Sequence, residues 1–226
     1  ELYYANYGTE EDFLELQKQG YNITGKIVIL RDGLTFRGNI IEFAEVFGAK
    51  GVLLYNDPDS VAPIGFENEV YPNGPWLPPD GVMRGSIMLQ SGDPLTPEYP
   101  SLRNLVSVFQ FKLHSLLNVA FYILAYTFRE DKEKVKLSKI PSQVIGYRMA
   151  YEIFKLINHN KEVKSDDWKG HLNMTYTYGG KLRDNKFIEL NVFNSRQITK
   201  TYNVQAIIKG SVEAGKRFLI FLKFFL

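Results

Sequence analysis

Arg37 is the residue in this sequence whose setting most suggests binding chemistry. It precedes Gly38 at the start of a helical pattern, where a cation opposes the helix dipole. A planar guanidinium there, with glycine permitting close backbone approach, could fork onto a ligand carboxylate. The competing reading is a surface arginine paired with a nearby acid such as Asp32, and the residues alone favour it. Other chemistry is thin. His114, His159 and His171 lie far apart and lack the spacing of metal ligands. The acids of Glu10-Glu11-Asp12, Asp57-Pro58-Asp59 and Asp166-Asp167 read as solvated faces or helix N-termini rather than acid–base pairs. Pro58 and the want of a loop glycine argue against a self-contained calcium loop. There is no phosphate-binding glycine loop, no Gly-x-Ser-x-Gly elbow and no His-Glu-x-x-His motif. No complete catalytic constellation can be assembled. Two sequons, Asn22-Ile23-Thr24 and Asn173-Met174-Thr175, offer glycan sites if the chain is secreted, with chance occurrence as the plain alternative.

Composition narrows the classes. The 226 residues are 45% hydrophobic and 23% charged, which suits one large globular domain and argues against disorder. The 27 Lys and Arg against 25 Asp and Glu leave a net charge of +2, no electrostatic footprint for a nucleic-acid partner. With Cys at 0, disulfides, thiolate nucleophiles and Cys-ligated zinc are excluded. ELYYANYG carries no visible signal peptide, and the chain reads as a piece from inside something longer. The apolar stretch within 101–128 is interrupted by Arg103, Lys112, His114 and Asn118, and FLIFLKFFL is short, so neither reads as a membrane span.

The elements that must position Arg37 are a strand, a helix and a strand. GKIVILR is a β-branched-rich run that reads as a buried strand. In IIEFAEVFGAK, Ile40, Phe43, Ala44 and Phe47 share one helical face, with Gly48 at the C-terminal cap. KGVLLYND is a second strand, stopped by Asn56-Asp57-Pro58, and the βαβ unit makes the two strands parallel. Nine prolines between 57 and 100 predict an ordered loop region with one short strand at GVMRGSIML. Ser142 is expected to cap a helix with Ile145, Met149, Ile153 and Leu156 on one face. FIELNVF and TYNVQAIIKG alternate at period two, as half-buried strands do. The class is mixed α/β.

Taken in order, NITGKIVILRDGLTFRGNIIEFAEVFGAKGVLLYNDP, YPNGPWLPPDGVMRGSIM, GDPLTPEYP, IPSQVIGYRMA, DDWKG and TYNVQAIIKGSVE closely resemble the protease-associated (apical) domain of the glutamate carboxypeptidase II and transferrin receptor family. The resemblance covers most of residues 1–100 and 126–220. It implies a PA-domain β-sandwich or sheet core with flanking helices. It also implies the ectodomain of a type II membrane glycoprotein, on the extracellular face of the plasma membrane. There this domain accompanies a two-zinc peptidase domain and a helical dimerisation domain. By the same resemblance Arg37 holds a carboxylate of the substrate's C-terminal glutamate, and this reading now outweighs the surface pair. Ser86 stands where the carboxypeptidase has a substrate-touching asparagine; a hydroxyl cannot reproduce the amide's pair of bonds, which puts the substrate's identity in question. Thr96 and Tyr99 fall on two positions that bind a structural calcium, a half-site expected to be weak without carboxylates from the peptidase domain. Asn22 and Asn173 become glycosylation sites.

The departures carry expectations too. The resemblance assigns 1–220 to the PA domain, incomplete at its N-terminus, with an atypical apolar insertion at 101–125. Residues 221–226 form a tail where the zinc peptidase domain would begin. Both non-matching stretches are rich in Phe, Leu, Ile, Asn and Lys, as translated non-coding sequence would be. The chain holds no zinc ligands of the peptidase and is expected to be inactive alone. The functional expectation is an accessory domain recognising an acidic C-terminal residue. The rivals are a receptor-type binding module and a non-functional truncated fragment.

Overall fold

A computed structural model describes residues 1–62, 69–89, 92–96, 101, 106–107, 128–129, 135, 137–158, 161–195, 197, 199–200, 202, 204–209 and 217–222. Its strands are β1 (Leu2–Tyr4), β2 (Ile27–Asp32), β3 (Gly51–Asn56), β4 (Val106–Ser107), β5 (Phe128–Arg129), β6 (Ser142–Ile145), β7 (Gly179–Gly180), β8 (Val204–Lys209) and β9 (Arg217–Leu222). Its α-helices are α1 (Glu10–Lys18), α2 (Arg37–Val46), α3 (Pro58–Val61) and α4 (Tyr147–Leu156).

Five strands make the main sheet, in the order β6-β3-β2-β1-β7. β1, β2, β3 and β6 run parallel, and β7 pairs with β1 antiparallel. The expected βαβ unit is present as β2-α2-β3, with Ile29 opposite Leu53 and Asp32 opposite Asn56. Every residue of β3, and all of β2 after Ile27, is buried, as in strands covered on both faces, with Arg31, Asp32 and Asn56 polar at their carboxyl ends. Gly48 ends α2 in a left-handed turn (φ 86°), with Gly48 N–H donating to Glu45 O and Ala49 N–H to Ala44 O. That pair of bonds is a Schellman stop, and it aims the chain into β3.

α1 begins at the acids that read as a helix start. Thr9 Oγ1 accepts from Asp12 N–H (3.2 Å) and Asp12 Oδ2 accepts from Thr9 N–H (3.1 Å), a reciprocal cap. Phe13 of α1 stacks on Phe47 at 5.1 Å. Around Tyr4 an aromatic cluster gathers Phe154 (5.4 Å), Trp168 (6.1 Å) and Tyr176 (5.3 Å). Burial pushes the Tyr176 hydroxyl up to about 12 and raises Tyr4 and Tyr55 as well, so all three stay protonated.

Three expectations are corrected. Ser142 does not cap a helix: it opens β6, which pairs with β3 so that Val52 faces Ser142 and Tyr55 faces Ile145. α4 is capped instead at Gly146; its buried residues are Ala150 and Phe154, and Met149 is 55% exposed. The apolar run IPSQVI satisfies a fourth parallel strand before the helical period begins. GVMRGSIML forms no strand, because its backbone packs across the start of α2 instead of joining a sheet edge. Nor does FIELNVF, where Phe187 and Phe193 are 82% and 94% exposed. Period-two alternation there finds no neighbouring strand among the described residues.

Residues 192–226 form a second compact unit, separate from 1–191. Within it β8 and β9 pair antiparallel, with Val204 opposite Leu222, so the strand expected in TYNVQAIIKG is present. Most of the 101–125 insertion, and residues 223–226 of the tail, lie outside the described residues. Among the described residues no helix is long and apolar enough to cross a membrane.

Candidate functional site

Parallel strands in register bring Asp32 and Asn56 side by side at the carboxyl ends of β2 and β3, the edge where open α/β sheets place ligands. Arg37 opens α2 one loop later. Its Nε donates to Asp32 Oδ2 at 2.9 Å, and its Nη2 lies 2.7 Å from the same oxygen. Asn56 Nδ2 donates to that Oδ2 too, at 3.1 Å, while Asn56 Oδ1 accepts from the Met83 N–H at 2.8 Å. One buried asparagine therefore ties the 81–89 segment to the carboxylate that holds Arg37. Asp32 is 8% exposed and Arg37 19%, so the pair is largely withdrawn from water.

The 81–89 segment closes over the helix start. A Cβ on Gly85 would run into Arg37 Nη1, and one on Gly38 would lie 2.7 Å from Ile87 O. At Gly38 the neighbour is backbone, so that approach needs glycine; at Gly85 a side chain would have to displace the guanidinium. Ser86 sits between these two contacts, exposed, with its Oγ accepting from Met88 N–H at 3.1 Å. Arg37 and Ser86, far apart in sequence, are thus brought to one place. A guanidinium has five N–H donors, and Asp32 engages two nitrogens along one edge; the Nη1 side keeps donors for a second acceptor. Leu34 (80% exposed), Phe36 (46%) and Leu89 (37%) give this edge an apolar rim.

Thr96 lies elsewhere. It is 3% exposed, and its Oγ1 is a buried acceptor with no hydrogen-bond partner among the described residues. Asp93 shapes its turn, accepting from Leu95 N–H at 2.9 Å and Ser101 Oγ at 2.7 Å, while Asp93 O accepts from Thr96 N–H at 3.0 Å. An orphaned hydroxyl oxygen of this kind suits a hard cation. Tyr99 lies outside the described residues. Among the described residues no group of three or more His, Cys, Asp or Glu could hold a metal ion. Asn22 and Asn173 are exposed on loops, and Asn22 Oδ1 accepts from Thr24 N–H at 2.9 Å.

Sequence reasoning missed Asn56, taken only as a strand stop. It also missed two buried charges that fasten the 165–172 loop to the sheet. Arg31 is 3% exposed; its Nη2 donates to Asn6 Oδ1 and to Asp167 O (2.8 Å), its Nη1 to Lys169 O (3.1 Å), and its guanidinium stands 4.0 Å over the Tyr7 ring. Asp57 accepts from His171 N–H through both oxygens, at 3.1 and 3.0 Å, and caps α3 through Asp59 N–H.

Residues 1–88 match the model of the PA domain family. A glutamate carboxypeptidase 2 homolog of Caenorhabditis elegans is 36% identical over 94% of this chain, which corresponds to 26% of that relative. Aminopeptidase NAALADL1 of Rattus norvegicus is 33% identical over 95% of the chain and 27% of its own length, and transferrin receptor protein 2 of Mus musculus 30% over 94% and 22%. The chain spans about a quarter of the length of these curated relatives. With the parallel sheet and the FRGN helix start in the same segment, the chain belongs to the PA-domain-bearing family of the glutamate carboxypeptidases and transferrin receptors.

Proposed function

We propose that this chain forms one wall of the substrate cleft of a zinc-dependent exopeptidase and recognises an acidic C-terminal residue without being catalytic itself. The carrying observation is the Arg37 guanidinium, braced by Asp32, which Asn56 holds in turn, with Gly85 packed against Nη1 and no acceptor taken by that nitrogen among the described residues. Bracing matters because a pre-oriented fork loses little entropy when a carboxylate arrives. The two zinc ions and the water they activate would belong to a peptidase domain supplied by residues beyond this chain, and a dimerisation domain would be the other partner. The test is steady-state kinetics of the complete polypeptide with Arg37→Ala, using peptides that end in glutamate; an unchanged KM refutes the role.

Asp32 also favours a second reading. It neutralises Arg37, and Ser86 Oγ accepts a local bond, so a receptor-type binding module is the alternative. The two readings part on whether the polypeptide following this chain carries zinc ligands, which transcript sequencing answers.

Calcium would use the Thr96 hydroxyl as one oxygen ligand, with Tyr99 as another. In the complete polypeptide, calcium should raise the Tm of the parent and raise it less in Thr96→Val; equal rises would remove Thr96 from the site. The extracellular placement rests on the two exposed sequons. Expressed through the secretory pathway, the protein should lose mass in two steps with Asn22→Gln and Asn173→Gln. Insensitivity of the parent to endoglycosidase would refute that placement.

A further inference from the structure

The proline-rich loop forms an open groove of about 960 Å³, lined by Tyr71, Trp76, Pro78, Asp80, Met83 and Arg84. Its walls are fastened on several sides. Tyr71 N–H donates to Trp76 O (2.9 Å), Trp76 N–H to Glu69 O (3.2 Å), and Leu77 N–H to Val61 O (3.2 Å) on α3. Arg148 N–H of α4 donates to Pro79 O at 3.1 Å. Tyr71 is nevertheless 70% exposed and Met83 48%, while Trp76 is half-buried. These are large apolar surfaces held open by bonded backbone rather than left loose.

The charges are uneven. Asp80 is taken by Arg148, at 3.4 Å. Arg84 is exposed and makes no ion pair, side-chain hydrogen bond or ring contact among the described residues, so the groove's unspent charge is positive. Trp, Tyr, Met and Arg are the side chains that dominate polypeptide-binding surfaces, because rigid aromatics bury much area for little entropy and arginine forks onto carboxylates. We propose that this groove docks a polypeptide segment in which an acidic residue adjoins an apolar one. Arg84 pairs the carboxylate, and Trp76 with Met83 and Tyr71 covers the apolar side chain.

The chain has two tryptophans, Trp76 and Trp168, and Trp168 is buried in the aromatic cluster, so two indole N–H resonances report separately. The test titrates the full chain with N-acetyl-Glu-Leu amide, which has no C-terminal carboxylate for Arg37, and assigns the resonances with Trp76→Phe. The Trp76 signal should move and that of Trp168 should not. Arg84→Gln should raise the Kd about threefold to fivefold, the scale of an exposed charge pair, and Arg37→Ala should leave it unchanged. Equal binding of N-acetyl-Lys-Leu amide, an unmoved Trp76 signal, or an unaltered Kd in Arg84→Gln would overturn the proposal. A loss in Arg37→Ala alone would place the peptide in the cleft instead.

Discussion

Replacing Arg31 by Met should lower the unfolding free energy by about 3–5 kcal/mol. The methionine fills much of the same space but leaves the buried Asn6 Oδ1, and the part-buried carbonyls of Asp167 and Lys169, without their donor. A buried orphan costs about 1–3 kcal/mol, and the two carbonyls nearer water add less. Burial works against the charge on Arg31, yet its pKa stands above the ordinary arginine value, so the side chain stays a cation. Removing the cation also takes away its stacking on Tyr7. Urea denaturation of Arg31→Met and Arg31→Lys measures the effect. Lysine keeps the charge and cannot span three acceptors, so it should fall between the other two. Parent-like stability in Arg31→Met would show that the 165–172 loop is held without Arg31, by the Asp57–His171 bonds and the packing of Trp168.

Arg31 also shows where reading the sequence stops. Its place in a run of β-branched and aliphatic residues marks a buried strand, and nothing local marks the charge as satisfied. Its carbonyl partners lie 136 and 138 positions away. The βαβ unit was legible because its signals are local: period, glycine stop and Asn-Asp-Pro break all lie within thirty residues. β1, lying between β2 and β7, was not legible in three residues of Leu-Tyr-Tyr, since its strand character comes from its neighbours. Ser142 misled because Ser before an apolar run suits a cap or a strand start equally, and only pairing with β3 decides. For the site, Asp32 is the partner of Arg37 that the residues alone favoured, and the FRGN helix start packs against the segment that carries Ser86. Asn56 escaped because its role depends on strand register.

In the complete polypeptide, Arg37→Ala should raise KM for a peptide ending in glutamate about 10- to 100-fold, while kcat changes little. A charge-assisted fork contributes about 1.5–3 kcal/mol, and a group that grips a remote carboxylate equally in ground and transition states appears in KM. Peptides with a neutral C-terminal side chain should be less affected. Arg37→Lys separates charge from geometry: an ammonium cannot hold Asp32 and a ligand carboxylate along two edges, so it should recover only part of the loss. Asp32→Asn probes the brace. It leaves Arg37 charged but removes the anion that orients Nε and Nη2, so KM should rise again if orientation is what Asp32 supplies. If Asp32→Asn instead lowers KM, Arg37 still grips the substrate, and the Asp32 carboxylate competes for the guanidinium rather than bracing it. Only an unchanged KM in Arg37→Ala would make Arg37 a salt-bridged residue of a binding module and pass the cleft role to another cation.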